Sequence, residues 1–248
     1  MPAGDFLLID NSNSFTKLSL ASRTSLLGSA RRISTRELNA ASFDRALRGW
    51  KFDAVVLSSV VPEKGNWMAD HLAGKPLVRV SAALELGVGI EYPKPQTIGA
   101  DRLANAASAA ALFGAPVVVV DFGTAVSFDI IARGRKYVGG VIAPGLEAMT
   151  DYLHQRTALL PKISLLEPPS AIGKSTKQAM LAGAVYGYRG LVRQILSEIK
   201  AELGERRLRV VATGGYAELI AAGLPEIQTV LPNLTLEGLR IIGTLNLP

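Results

Sequence analysis

Apolar positions in this chain fall mostly into short runs and alternations, and the sharpest run is Val117 to Val120, four β-branched residues in succession. Such a run fits a strand covered on both faces. It ends in Asp121, turns through Phe122-Gly123-Thr124, and leaves with Val126, Phe128 and Ile130 alternating against Ala125, Ser127 and Asp129, the period of a half-buried strand. Polar groups therefore emerge from a core at the turn. Asp-x-Gly is equally an ordinary hairpin turn, but here the pattern occurs twice. Phe6 to Ile9 is an apolar run ending in Asp10, followed by Asn11-Ser12-Asn13-Ser14 and an alternation through Phe15-Thr16-Lys17-Leu18-Ser19-Leu20. Aligning Asp10 with Asp121 matches Ser12 to Gly123, Asn13 to Thr124 and Ser14 to Ala125. A strand, carboxylate, polar turn and second strand recurring in each half predicts two similar halves, with a nucleotide finding a hairpin turn on either side.

Between and after the two copies, strand and helix patterns alternate. Strands are predicted over Leu26 to Ile33, Asp53 to Ser58, Leu77 to Val80, Lys136 to Ala143 and Arg209 to Ala212. Helices are predicted over Phe43 to Trp50 with Ser42 as N-cap, Trp67 to Leu72 with Asn66 as cap, and from Asp101 and Arg102 to Phe113. A helix begins after Pro144-Gly145, with Leu146, Met149, Leu153 and Tyr152 as its apolar face. A long one capped by Ser175 or Thr176 runs through Tyr186 to Leu203. Gly183, Gly187 and Gly190 weaken that helix's own propensity, so close helix packing is expected to compensate. Leu236, Leu239, Ile242 and Leu245 recur at helical spacing near the end of the chain and read as a core face.

Composition narrows the class. The 248 residues are 48% hydrophobic and 19% charged, enough to bury a substantial core as one large domain or two smaller ones. The expected division is 1–113 and 114–248, with the terminal helix able to pack back on the first half. Lys and Arg exceed Asp and Glu by 27 to 21, a net charge of +6 that favours an anionic partner in general. The basic residues are scattered and lack interleaved aromatics, so no nucleic acid is expected as partner. Cysteine is absent, which removes disulfides and thiolate chemistry, and only His71 and His154 remain as imidazoles. The uncharged run Leu103 to Val120 reaches the length of a membrane span, but Asn105, Ser108, Gly114 and Pro116 divide it. No membrane association is expected, and with no signal peptide the expected compartment is the cytoplasm.

Several other stretches carry candidate chemistry. Glu91 to Arg102 contains two prolines and a glycine, a stiff loop that delivers Asp101 and Arg102 to a helix start. A carboxylate there either stabilises the helix terminus or serves chemistry. Ile172-Gly173-Lys174-Ser175-Thr176 contains Gly-Lys-Ser but is no P-loop, because Pro168 stands where the first glycine belongs and no apolar strand leads in. Thr213-Gly214-Gly215 between a strand and a helix is a common receiver of a nucleotide's phosphates or ribose.

Taken together, these residues resemble the type III pantothenate kinases, which belong to the actin, hexokinase and acetate kinase fold group. The family's N-terminal signature appears as Asp10 to Lys17, its Gly-x-Asp-Arg signature as Gly99 to Arg102, and its Asp-x-Gly-Thr-Ala signature as Asp121 to Ala125. Gly139 to Gly145, Arg156-Thr157-Ala158 with Leu160-Pro161, Ile172-Gly173-Lys174 with Thr176, and Thr213-Gly214-Gly215 follow in the family's order. The resemblance implies an α/β chain of two ribonuclease H-like halves facing an interdomain nucleotide cleft, the actin-like ATPase fold. It implies ATP-dependent phosphorylation of pantothenate to 4'-phosphopantothenate, the entry to coenzyme A synthesis, by a homodimer using a divalent metal such as Mg2+ and a monovalent cation, K+ or NH4+.

Roles carry over by position. Asp10, Asn11, Ser12, Asn13, Ser14, Phe15, Thr16 and Lys17 would bind ATP phosphates together with Thr124. Asp101 would be the general base, and Tyr92, Gly99, Ala100, Arg102 and Thr176 would join it in holding pantothenate. Asp121 would hold the monovalent cation, and the helix after Thr176 would lie at the dimer interface. Ser12 stands where the family usually has glycine, so its Cβ is expected to restrict the turn or crowd the phosphates; Lys94 stands where asparagine is usual. A non-catalytic regulatory relative, or a kinase of this fold acting on another hydroxylated acid or sugar, would share much of the pattern.

Overall fold

The computed structural model describes residues 2–248, which divide into two compact units. The first comprises residues 2–115, Arg133–Gly139 and Asn233–Pro248; the second comprises Pro116–Ala132 and Gly140–Pro232.

In the first unit, β1 (Ala3–Asn11), β2 (Phe15–Ala21), β3 (Leu26–Ser34), β4 (Lys51–Ser59) and β5 (Leu77–Arg79) form one sheet in the order β3-β2-β1-β4-β5. β1 and β2 are antiparallel, as are β2 and β3, whereas β4 lies parallel to β1 and β5 parallel to β4. Crossovers explain the parallel pairs: α1 (Ala40–Leu47) precedes β4 and α2 (Pro62–His71) precedes β5. Phe6, Leu7, Leu8 and Ile9 are all buried, so β1 is covered on both faces, and each such side chain contributes about 1.5–3 kcal/mol. On one face Leu7, Ile9, Leu18, Val55 and Leu57 pack with Phe43 of α1 and Met68 of α2. The unit also holds β6 (Gly89–Ile90) and α3 (Ala100–Phe113).

The second unit repeats the scheme. Here β7 (Val117–Phe122), β8 (Ala125–Ala132), β9 (Lys136–Pro144), β10 (Arg209–Gly214) and β11 (Thr229–Val230) follow the order β9-β8-β7-β10-β11. The first three mirror β3-β2-β1, and β10 and β11 add in parallel as β4 and β5 do. Its helices are α4 (Leu146–Arg156), α5 (Thr176–Glu202) and α6 (Ala217–Ala221). The first residues of β9 belong to the first unit, where Lys136 and Tyr137 pair in parallel with Gly89 and Ile90 of β6. α7 (Leu234–Asn246) also belongs to the first unit and crosses α3 so closely that a Cβ on Gly238 would land on the Ala104 carbonyl.

Several boundaries and faces differ from the sequence reading. α1 starts earlier, because Asn39 is the N-cap and Ser42 the third residue: Asn39 Oδ1 accepts from Ser42 N at 3.0 Å and Ser42 Oγ from Asn39 N at 3.0 Å. α2 begins at Pro62, whose fixed φ suits a first helical position, and Asn66 lies inside it. On α4 Met149, Tyr152 and Leu153 are exposed while Leu146 and Thr150 are buried. Among the described residues no packing compensates Gly183, Gly187 or Gly190, since a Cβ at each would meet open space. Leu236, Leu239 and Ile242 are buried as expected, but Leu245 is exposed.

Candidate functional site

The first hairpin sits where buried strand gives way to polar turn. Asp10 is buried, stands opposite Lys17 in β2 and beside Ser58 in β4. Asn11 and Thr16 are buried behind the turn, with Asn11 Nδ2 donating to Thr16 Oγ1 at 2.8 Å. Thr35 supports the tip: its hydroxyl donates to the Ser12 carbonyl at 2.7 Å and its N–H to the Ser14 carbonyl at 3.0 Å. Asn13, Ser14 and Phe15 are exposed, and the Arg32 guanidinium stacks 3.3 Å over the Phe15 ring. The restriction expected from Ser12 does not arise. Arg135 is the only non-glycine residue with positive φ among the described residues, so the turn at Ser12 uses backbone angles open to any L-residue.

The same unit joins this hairpin to Asp101. Ser59, at the end of β4, donates to Asn11 Oδ1 at 2.7 Å, and Val60 N donates to Asn11 O at 3.0 Å. Ser59 and Val60 line a cavity of about 590 Å³ whose wall also includes Val80, Ile98, Gly99 and Ala100, a size that suits a small ligand. Gly99 caps α3, and Asp101 follows in its first turn, half-buried, accepting the Arg102 N–H at 2.8 Å on Oδ1. Burial raises the Asp101 carboxyl above its ordinary value, opposed in part by the Arg102 N–H and guanidinium. Arg102 lies 5.9 Å from the Tyr137 ring centroid, and Tyr137 meets Tyr92 edge-on at 6.3 Å. Tyr92 is seated by the pairing of β6 with β9, which Glu91 N extends by donating to Tyr137 O at 2.8 Å.

In the second unit Asp121 is half-buried at the end of β7, opposite Ser127 and beside Thr213 of β10. Gly123 N donates to Ala125 O at 3.1 Å, and Gly123 and Thr124 form an exposed tip. The repeat is close but not identical. Three residues separate β1 from β2, whereas two separate β7 from β8, so the second turn is the tighter. Thr213 stands to Asp121 as Ser58 stands to Asp10, a hydroxyl on the parallel strand beside each carboxylate. Thr176 is exposed at the first residue of α5, after Ser175, whose hydroxyl accepts from Gln178 N at 3.3 Å.

Thus the Asp10 to Lys17 hairpin, Tyr92 and Gly99 to Arg102 share one unit, while Asp121, Thr124 and Thr176 share the other. Sequence reasoning missed Ser59 and Val60, Thr35 and Tyr137. The Ser58-Ser59 pair ending an apolar strand carried the same signal as Asp10 and could have been found by it. Thr35 and Tyr137 carried none, because their partners are distant in sequence.

The donor set also bears on cations. Among the described residues no three acidic or imidazole side chains gather in a metal-binding group. A magnesium ion held through one carboxylate and a nucleotide's phosphates fits that, because Mg2+ keeps most of its water. Ser58 Oγ, buried beside Asp10 and without a hydrogen-bond partner among the described residues, offers an oxygen to such a hydration shell.

Comparison with known proteins places the chain among relatives. Residues 6–198 match the profile of the family described as type III pantothenate kinase. A type III pantothenate kinase of Akkermansia muciniphila is 54% identical over 246 residues, covering 98% of this chain and 99% of its own. One from Methylacidiphilum infernorum is 41% identical, covering 96% of this chain and 87% of its own. Among solved structures, component A of the (R)-2-hydroxyglutaryl-CoA dehydratase of Acidaminococcus fermentans superposes with a TM-score of 0.56 at 12% identity, over 97% of this chain and 96% of that one, a likeness of fold.

Proposed function

The chain belongs to the type III pantothenate kinase family, and on that premise we propose that Asp101 is the general base in transfer of the γ-phosphoryl group of ATP to the primary hydroxyl of pantothenate. The product is 4'-phosphopantothenate, and the reaction opens coenzyme A biosynthesis. The observation that carries the assignment is the position of Asp101, half-buried in the first turn of α3 directly after two residues that line the cavity. Burial makes its carboxylate a stronger base than one in water. As the hydroxyl oxygen bonds to phosphorus and the bond to the β-phosphate oxygen breaks, the hydroxyl proton passes to Asp101 and ADP leaves.

Phosphoryl transfer through a loose transition state asks a protein mainly to position groups and balance charge. The Asp10 to Lys17 turn and Thr124 supply N–H, hydroxyl and ammonium groups for phosphate oxygens. Arg102 offers a fork of donors to the pantothenate carboxylate, with Tyr92, Gly99 and Ala100 around the acceptor. Asp10 would hold Mg2+ and Asp121 a monovalent cation, K+ or NH4+, each neutralising phosphate charge when bound.

The active form in this reading is a homodimer. Exposed Met149, Tyr152 and Leu153 on α4 and Tyr186 on α5, beside the uncovered Gly183, Gly187 and Gly190, support a second copy packing on these helices and covering exposed Thr176. The test of function is incubation with ATP, magnesium, pantothenate and either potassium or ammonium. Formation of 4'-phosphopantothenate is expected, and no product with either monovalent cation would overturn the reading.

A further inference from the structure

Within the second unit, three turns meet at the carboxyl ends of β7 and β10, the end at which open parallel sheets receive ligands. The hairpin tip Gly123-Thr124 lies between the other two. Gly145 N donates to Thr124 O at 3.2 Å, and a Cβ on Gly214 would come within 2.6 Å of the Phe122 backbone. Two residues beyond each glycine stands a polar side chain: Glu147 in the first turn of α4, and Tyr216 just ahead of α6. The Tyr216 hydroxyl donates to Glu147 Oε1. Hairpin, Gly145, Glu147, Tyr216 and Gly214 therefore close a ring of contacts beside the tip that carries Thr124.

The chemistry of the clasp selects its ligand. Partial burial, the Glu147 hydrogen bond and the charges of Glu147 and Asp151 hold the Tyr216 phenol up at about 12, so near neutrality it donates. An ionised glutamate only accepts. With Oε1 held by Tyr216, Glu147 presents its remaining lone pairs in a fixed direction to a donor. The group adjoining the phosphates of a nucleotide is its ribose, and a vicinal diol offers two hydroxyl donors. Adenine, farther along, presents a single exocyclic amine among ring acceptors.

We propose that the Glu147–Tyr216 clasp is a ribose subsite, in which Glu147 accepts hydrogen bonds from the 2'- and 3'-hydroxyls of a ribonucleoside triphosphate while Tyr216 fixes the carboxylate. This rests on the assignment above of Thr124 to ATP phosphates. It makes the enzyme selective for the sugar of the donor nucleotide through two residues that take no part in proton transfer.

The test measures Kd for ATP, 2'-deoxy-ATP and ITP on the full-length chain by titration calorimetry, with steady-state rates using pantothenate in parallel. The parent protein is expected to bind ATP about tenfold more tightly than 2'-deoxy-ATP, the scale of one hydrogen bond to a charged group. Glu147→Ala should bring that ratio close to one, and Tyr216→Phe should lower it, while the ATP to ITP ratio stays at the parent value. A parent protein indifferent to the 2'-hydroxyl overturns the proposal, and that measurement needs no variant. So does an unchanged ATP to 2'-deoxy-ATP ratio in folded Glu147→Ala, or a change confined to ITP, which would place the base at the clasp. Failure to phosphorylate pantothenate would overturn the kinase reading separately, since the binding ratios still decide the subsite.

Discussion

Asp101 shows how one residue can be set against stability for chemistry. Its carboxyl is raised by burial, so the folded state prefers the protonated form. The contribution is therefore present at low pH and lost as pH rises through the raised folded pKa, leaving the ionised group a cost at neutral pH. Asp101→Asn, which imitates the neutral form, should raise the thermal midpoint at neutral pH while lowering kcat about a hundredfold or more, checked by calorimetry and by turnover. In the parent enzyme kcat/KM should fall on the acid side with a pKa above the usual carboxylate range, because only ionised Asp101 accepts the proton; a limb within that range would remove Asp101 as the base. Gly99 makes a second prediction at this scale. A Cβ there would lie 2.6 Å from Asp101 Oδ1, the oxygen that accepts the Arg102 N–H. Gly99→Ala should lower kcat and shift the acid limb with far-ultraviolet circular dichroism unchanged.

Among elements, the contact of α3 with α7 links the end of the chain to the helix that carries Asp101. Gly238 allows that contact, and Thr235 Oγ1 donates to Asn105 Oδ1 at 2.8 Å within it. Gly238→Ala would drive a methyl group against the Ala104 carbonyl, with an expected loss of about 1–3 kcal/mol in urea unfolding. The cap of α1 is a smaller effect: Asn39→Ala removes one side of a reciprocal pair and should cost about 1 kcal/mol. In the second unit Arg189 performs a similar linking role for the irregular stretch before α5. It donates to both Glu167 carboxylate oxygens at 2.9 and 2.7 Å and to the Ile220 and Leu219 carbonyls at 3.2 and 2.6 Å. Glu167 is held below its ordinary range by Arg189, so the tie is present above that range and is lost as pH falls through the lowered folded value.

For the whole molecule, no helix among the described residues is long and apolar enough to cross a membrane, and the exposed apolar residues concentrate in the second unit. A dimer through α4 and α5 predicts a sedimentation mass twice that of the 26.3 kDa chain. Tyr152→Lys combined with Tyr186→Lys should return it to a monomer with lower activity. A parent chain that sediments as a fully active monomer would contradict the dimer. Saturating ATP should raise the thermal midpoint by mass action on the folded state.

The sequence by itself determined the duplicated scheme of strands, because a buried β-branched run ending in a carboxylate is a local pattern that needs no knowledge of partners. It also placed Asp10, Asp101 and Asp121 at the ends of elements, where polar groups leave the core. Helix starts were less legible: Asn39 won over Ser42 because the pair caps reciprocally, and Pro62 won over Asn66 because its ring already has the helical φ. Tertiary structure alone decided that Ser59 holds Asn11 across 48 residues, that Tyr137 stands between Arg102 and Tyr92, and that Glu147 meets Tyr216 across 69. Such contacts follow from strand register and from the return of α4 and α6 to neighbouring strand ends. Periodicity along the chain encodes which face of an element is buried, but not which distant side chain it will meet there.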